Sequence, residues 1–179
     1  MKATGIVRRI DDLGRVVIPK EIRRTMRIRE GDPLEIYTDK EGGVIFKKYS
    51  LMGGVTEFAG QLCETINRTC GQLCVITDRD SCIAVAGVPR RELMDKQISH
   101  ALEELMEGRQ IYQYKEGERI KLCAEMDKYV VLTAAPILSE GDVLGSVLLA
   151  GGEDAPTPGE VEYKLVQAVA GFLGRHMES

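Results

Sequence analysis

The chain has 179 residues, 44% hydrophobic and 29% charged, with a formal net charge of −4. That suits a folded protein of one domain, or of a small module plus a domain of about 120 residues. No apolar run of about 18 residues occurs, so no membrane-spanning helix is expected. The start, Met1-Lys2-Ala3-Thr4-Gly5, leads into charged sequence without an apolar segment, so secretion is not expected and a cytoplasmic location is.

The net charge conceals a split. Residues 1–50 hold twelve Lys or Arg and eight Asp or Glu, a balance of about +4, which leaves about −8 for residues 51–179. A basic segment joined to an acidic one points to a polyanion-binding module, and nucleic acid is the commonest polyanion partner.

Residues 5–10 are a short β-prone run, Asp11-Asp12-Leu13-Gly14 is turn chemistry, and residues 15–18 are a second β-prone run. Together they predict a hairpin over 5–18. Pro19 suits the first position of a helix, where its missing N–H costs nothing. A short helix is predicted over 20–26, then strands over 33–38 and 44–48 around the turn 39–43. On that helix Lys20, Arg23, Arg24 and Arg27 fall at i, i+3, i+4 and i+7, an arc of about 100°. Ile22 and Met26 lie opposite and are expected to enter a core. Like charges at this spacing repel, so the stripe weakens the isolated helix and favours binding to repeated negative charge.

Four short strands and one short helix bury little apolar area, and domains of about 50 residues are marginal without metal, disulfide or association. The segment has no cysteine. Association remains, so an obligate dimer with one shared core is expected, placing two basic faces toward one duplex.

Residues 1–49 resemble the AbrB family of swapped-hairpin transition-state regulators. The resemblance is carried by Thr4-Gly5-Ile6-Val7-Arg8, by Leu13-Gly14-Arg15-Val16-Val17-Ile18-Pro19, by Glu21-Ile22-Arg23-Arg24 and by Leu34-Glu35-Ile36-Tyr37. It implies a dimeric barrel of interlocked hairpins whose arginines contact double-stranded DNA. That role maps onto Arg8, Arg15, Arg23 and Arg24, with Lys2, Arg9, Lys20 and Arg27 as further candidates. Family members often carry Gly where this chain has Arg27. Gly there would end the helix in the left-handed region, so Arg27 must accept that geometry or the helix must end differently. No helix is long enough for a conventional major-groove reader, and readout is expected to lean on DNA shape.

Residues 51–55 are expected to form a linker and 56–179 a second domain. A helix is predicted over 55–70, ended by Gly71, followed by strands over 72–77 and 81–86. Short helices over 89–95 and 99–107 come next, then strands over 111–114, 119–123, 129–138 and 143–150. Thr157-Pro158-Gly159-Glu160 reads as a capping box that starts the last helix. An antiparallel sheet with a helix at each end resembles the GAF domains. The whole is therefore expected to be α+β, a swapped-hairpin barrel plus a GAF-like domain. Together the two parts resemble regulators acting in sporulation, as activators or repressors associated with the nucleoid. Helices 55–70 and 158–177 are both amphipathic, and a four-helix contact between subunits would make a homotetramer. Tyr112, Tyr114, Arg90, Arg91 and His100 lie near where a pocket for a small-molecule effector could form, but each is expected at the surface or in the core; any effector stays unidentified, and a purely structural dimerisation domain stays open.

Five cysteines, Cys63, Cys70, Cys74, Cys82 and Cys123, match no zinc spacing and read as reduced, buried thiols. No metal or cofactor is expected. No metallohydrolase, nucleophile-elbow, Walker or dinucleotide-binding motif occurs, and the only histidines are His100 and His176, so no enzyme is expected. Two alternatives stay open. One is an antitoxin-type DNA-binding protein, since such proteins share the swapped-hairpin module. The other is a nucleoid-architectural protein without sequence choice.

Overall fold

In the computed structural model, which describes residues 4–178, the chain divides into two units, Met1–Ser50 and Leu51–Ser179.

The first unit holds α1 (Lys20–Thr25) and a hairpin of β1 (Leu34–Thr38) and β2 (Val44–Lys48). Pro19 is the residue before the helix, with ψ 147°, one position earlier than the sequence suggests. Its carbonyl accepts the Arg23 N–H at 2.9 Å. The hairpin pairs Leu34 with Lys48 through Thr38 with Val44. Its turn is closed by Asp39, whose Oδ1 accepts the Glu41 and Gly43 N–H groups at 2.9 and 2.6 Å.

The expected hairpin over 5–18 is not a pair of strands within one chain. Among the described residues its backbone groups bond to one another twice, both at the tip: Asp11 N–H to the Arg15 carbonyl at 2.9 Å and Gly14 N–H to the Asp11 carbonyl at 3.1 Å. The β-prone flanks have no ladder partner here. Nor does the unit have a core of its own, because Pro19 is the one buried residue among 4–50. Val7 is 89% exposed, Ile10 72% and Met26 58%. Ile22 is half-buried, so the expectation that Ile22 and Met26 enter a core fails within a single chain. The physical reason is supply: this segment has apolar side chains and strand-forming backbone, but nothing of its own to place against them.

The second unit is a six-stranded antiparallel sheet with helices on both faces. Its strands are β3 (Leu73–Asp78), β4 (Cys82–Ala86), β5 (Tyr112–Gln113), β6 (Lys121–Cys123), β7 (Met126–Ser139) and β8 (Asp142–Gly151). They run in the order β4-β3-β8-β7-β5, with β6 also on β7. Side chains alternate between two cores. On one face Cys74, Ile76, Val147 and Leu149 meet α2 (Thr56–Cys70) and α5 (Glu160–His176) through Ala59, Cys63, Ile66, Val166, Ala170 and Leu173. On the other face Val75, Val131 and Leu148 meet α3 (Arg90–Leu93), α4 (His100–Glu107) and β6 through Leu93, Leu102, Met106 and Leu122.

Two sequence expectations shift here. Residues 51–55 form a 3-10 turn rather than a linker, and Met52 is fully buried in the first of these cores. The last helix starts at Glu160, not at Pro158. Glu162 Oε2 accepts the Gly159 N–H at 2.9 Å, so the reciprocal acid sits two residues later than the Thr157–Glu160 box. Gln113 Nε2 donates to the Pro158 carbonyl at 2.9 Å, which ties that residue to the sheet instead of the helix.

Candidate nucleic-acid interface

Six of the candidate DNA-contact residues of the first unit fall into three groups. Arg8 and Arg9 are exposed on the unpaired flank before the tip. Arg15 follows the tip. Lys20, Arg23 and Arg24 are exposed on α1, on the face expected from their spacing. Lys2 lies outside the described residues.

Arg15 is held, not loose. Its Nε donates to Asp11 Oδ2 at 2.9 Å, and its backbone N–H donates to Asp11 Oδ1 at 2.8 Å, an acceptor shared with the Leu13 N–H at 3.0 Å. These bonds, that from the Arg15 backbone foremost, hold the Asp11 carboxyl below its ordinary range. The Arg15 side chain stays 69% exposed, so its guanidinium faces solvent while its stem is fixed. Sequence reasoning named Arg15 and read Asp11 as part of a turn, but missed that Asp11 holds Arg15. The signal was present: an Asp two residues before Leu13 and three before Gly14 is an Asx-turn pattern.

Arg27 resolves the question its sequence raises. It takes φ 51°, the left-handed region. Ile28 N–H bonds the Arg23 carbonyl at 2.8 Å and Arg27 N–H the Arg24 carbonyl at 3.3 Å. That is a Schellman end with Arg27 in the position where Gly is preferred. The conformation is stapled from across the unit, where Lys48 Nζ donates to the Arg27 carbonyl at 2.8 Å and lies 3.5 Å from Asp32 Oδ2. Asp32 Oδ2 also accepts the Arg29 N–H at 2.8 Å. Arg27 is therefore half-buried and sits at the edge of the cationic stripe rather than within it. Lys48 and Asp32 went unnoticed in the sequence because they meet through the fold, not through spacing.

Chemically, three exposed cations on one turn of helix and a pinned arginine on a turn suit a row of phosphates. Guanidinium groups bind phosphate or a guanine edge by paired N–H donors. Among the described residues no group of three or more His, Cys, Asp or Glu side chains could hold a metal ion.

In the second unit Tyr112, Tyr114, Arg90, Arg91 and His100 do not line the cavity described there, in keeping with the expectation that each is surface or core. That cavity, of about 280 Å³, is lined by Asp95, Lys96, Gln97, Cys123, Glu125 and Met126. Tyr112 instead accepts the Thr133 hydroxyl at its carbonyl, and the Tyr114 ring stacks under Arg119 at 4.2 Å. His100 projects toward Glu103 and Glu104 on the exposed side of α4. Arg90 and Arg91 are exposed. These types met their partners locally, which spacing does not disclose.

Comparison with known proteins follows this division. Residues 54–178 match the family profile described as stage V sporulation protein T C-terminal, transcription factor, and residues 7–51 match antidote-toxin recognition MazE, bacterial antitoxin. Stage V sporulation protein T of Bacillus subtilis (strain 168) is 47% identical over 179 residues, covering 99% of both chains. The transition state regulatory protein AbrB of the same organism is 65% identical over 49 residues, 27% of this chain and 50% of AbrB. The solution structure of AbrB's N-terminal DNA recognition domain covers 27% of this chain and 91% of that one, with a TM-score of 0.25. A GAF domain/HD domain protein from Geobacter sulfurreducens shares the fold of the second unit. It is 17% identical over 69% of this chain and 91% of that chain, with a TM-score of 0.50.

Proposed function

The chain belongs to the stage V sporulation protein T family of transcription factors, and from that premise we propose that two copies braid their first fifty residues into one DNA-binding saddle. One observation carries this reading. Among residues 4–50 only Pro19 is buried, while apolar side chains and unpaired strand-forming backbone at 5–18 stand open. A second copy of the same segment supplies what is missing, since it brings the same unpaired strands and the same apolar surface. Two-fold symmetry then doubles the cationic set of Arg8, Arg15, Lys20, Arg23 and Arg24. AbrB's matching segment is a DNA recognition domain, which supports the same partner here and a nucleoid-associated place in the cytoplasm.

The second unit extends the assembly. The inner faces of α2 and α5 cover their own sheet. Their outer faces keep Phe172 51% exposed and Val161 76% exposed, with Phe58 6.0 Å from the Phe172 ring. Gly60 and Gly171 stand on the same two helices with open space where a Cβ would go. Glycine inside a helix is unfavourable by about 1 kcal/mol, and the open space at these two positions suits close approach by helices of another copy. Dimerisation through the first unit and helix packing through the second, each with a different partner subunit, would give a tetramer. Transcriptional control, and not catalysis, is the role this arrangement serves.

The test is DNA binding by the intact protein, read by fluorescence anisotropy against specific and random duplexes at fixed salt. A preference for particular sites, lost together with dimerisation, is expected. Equal affinity for every sequence would favour the architectural alternative.

A further inference from the structure

One exposed apolar side chain of the 5–18 segment stands apart from the rest. Ile6, Val7, Ile10, Val16 and Val17 lie on its two flanks, where a second copy would supply both ladder and core. Leu13 lies between the flanks, at the tip, and is 69% exposed.

The tip needs no partner to hold its shape. Asp11 N–H bonds the Arg15 carbonyl at 2.9 Å, and Gly14 N–H bonds the Asp11 carbonyl at 3.1 Å. Asp11 Oδ1 accepts the Leu13 and Arg15 N–H groups at 3.0 and 2.8 Å. Gly14, at φ 74°, supplies the left-handed residue. Leu13 is therefore carried on a preset platform. Turn positions usually hold Gly, Pro, Asn, Asp or Ser, because those residues shape the turn. The leucine side chain does nothing for the turn and stands in water.

The charges around it indicate what the tip meets. Arg8 and Arg9 on one flank and Arg15 on the other are exposed and suited to phosphate. The tip is not. Asp12 is an exposed carboxylate that a phosphate repels, and the Asp11 carboxylate is engaged by Arg15. An acidic and apolar tip between cations fits the floor of a groove bounded by two phosphate rows, and not the rows themselves. The major groove admits a two-stranded β-ribbon, and the apolar group on its floor is the thymine C5-methyl.

We propose that Leu13 reads thymine in the major groove by covering that methyl, adding a base preference to the phosphate grip of the arginines. The proposal rests on the reading of the first unit as a DNA-binding dimer. Each methyl covered strengthens binding about fourfold, and two-fold symmetry presents two tips.

The test uses the intact protein and the duplex it selects most tightly from a random pool. That duplex is made once with thymine and once with uracil at every thymine position, which removes the methyl and keeps the base pairing. Fluorescence anisotropy at fixed salt should show the parent binding the uracil duplex about fourfold weaker for each methyl covered. Leu13→Ala should bind the thymine duplex weaker by a similar factor and should bind both duplexes alike, so that parent and variant converge on uracil. Circular dichroism and sedimentation establish that the variant keeps the fold and oligomeric state of the parent. The proposal is overturned if the parent binds both duplexes equally or if Leu13→Ala keeps the preference for thymine. It is also overturned if Leu13→Ala comes apart into monomers, which places Leu13 in the shared core. Absence of binding to either duplex overturns the DNA-binding reading itself, and this one with it.

Discussion

Arg15 Nε stands 2.9 Å from Asp11 Oδ2 across the tip of the N-terminal turn. The pair is exposed, and such pairs contribute little to stability by themselves. Its consequence is positional, since Asp11 fixes both the backbone and the side chain of an arginine assigned to DNA. Asp11→Ala removes a negative charge from the basic face yet should weaken DNA binding, by about fivefold if one net hydrogen bond's worth of order is lost. Tighter binding would mean that Asp11 merely competes with phosphate. The sign with pH is also fixed. The folded-state pKa of Asp11 is depressed, so its contribution to the turn is present above the ordinary carboxylate range and fades as pH falls through the depressed value.

Arg23 and Arg24 are proposed to form the helix part of the interface. Alanine at either should weaken binding of every duplex, by about 1–3 kcal/mol, and lower the slope of log affinity against log salt by about 1 for each phosphate no longer neutralised. Fluorescence anisotropy across a salt series measures both, and an unchanged slope would remove α1 from the interface.

Arg27 separates stability from binding. It occupies a left-handed position that glycine fills without strain, so Arg27→Gly should raise the unfolding free energy by about 0.5–1 kcal/mol per subunit. If its guanidinium also reaches phosphate, DNA affinity falls in the same variant. Urea unfolding and anisotropy on one preparation read the two effects.

The sequence discloses most of this fold because most of it is local. Near-continuous apolar runs, buried on both faces, mark β3, β4, β7 and β8. Ser99 caps α4 by accepting the Leu102 N–H at 3.2 Å, and Gly71 ends α2 at φ 71°. The spacing of Lys20, Arg23 and Arg24 likewise fixes their common exposed face. What the sequence hides is whatever depends on a partner. The strands predicted over 5–18 are visible as propensity, but their ladder is absent from a single chain. Met26, apolar and expected in a core, is exposed for the same reason. Lys48 on the Arg27 carbonyl and Gln113 on Pro158 are products of topology, and no periodicity announces them.

Two glycines of α5 make opposite predictions. A Cβ at Gly174 would collide with the Leu138 carbonyl oxygen, so Gly174→Ala must lift the helix end from β7, costing about 1–3 kcal/mol in unfolding free energy. A Cβ at Gly171 meets nothing within 4 Å, so Gly171→Ala should stabilise the subunit by about 1 kcal/mol. If α5 faces a second copy there, the same change weakens the tetramer, and light scattering across a dilution series will show smaller species.

The shared core of the first fifty residues is tested most directly by hydrogen exchange of the backbone amides of residues 6–10 and 15–18 in the intact protein. Apart from the turn at the tip, these amides have no ladder partner among the described residues of one chain. Braiding with a second copy predicts protection comparable to that of β1 and β2. Exchange at the rate of an unstructured peptide, under conditions where β1 and β2 stay protected, would contradict it.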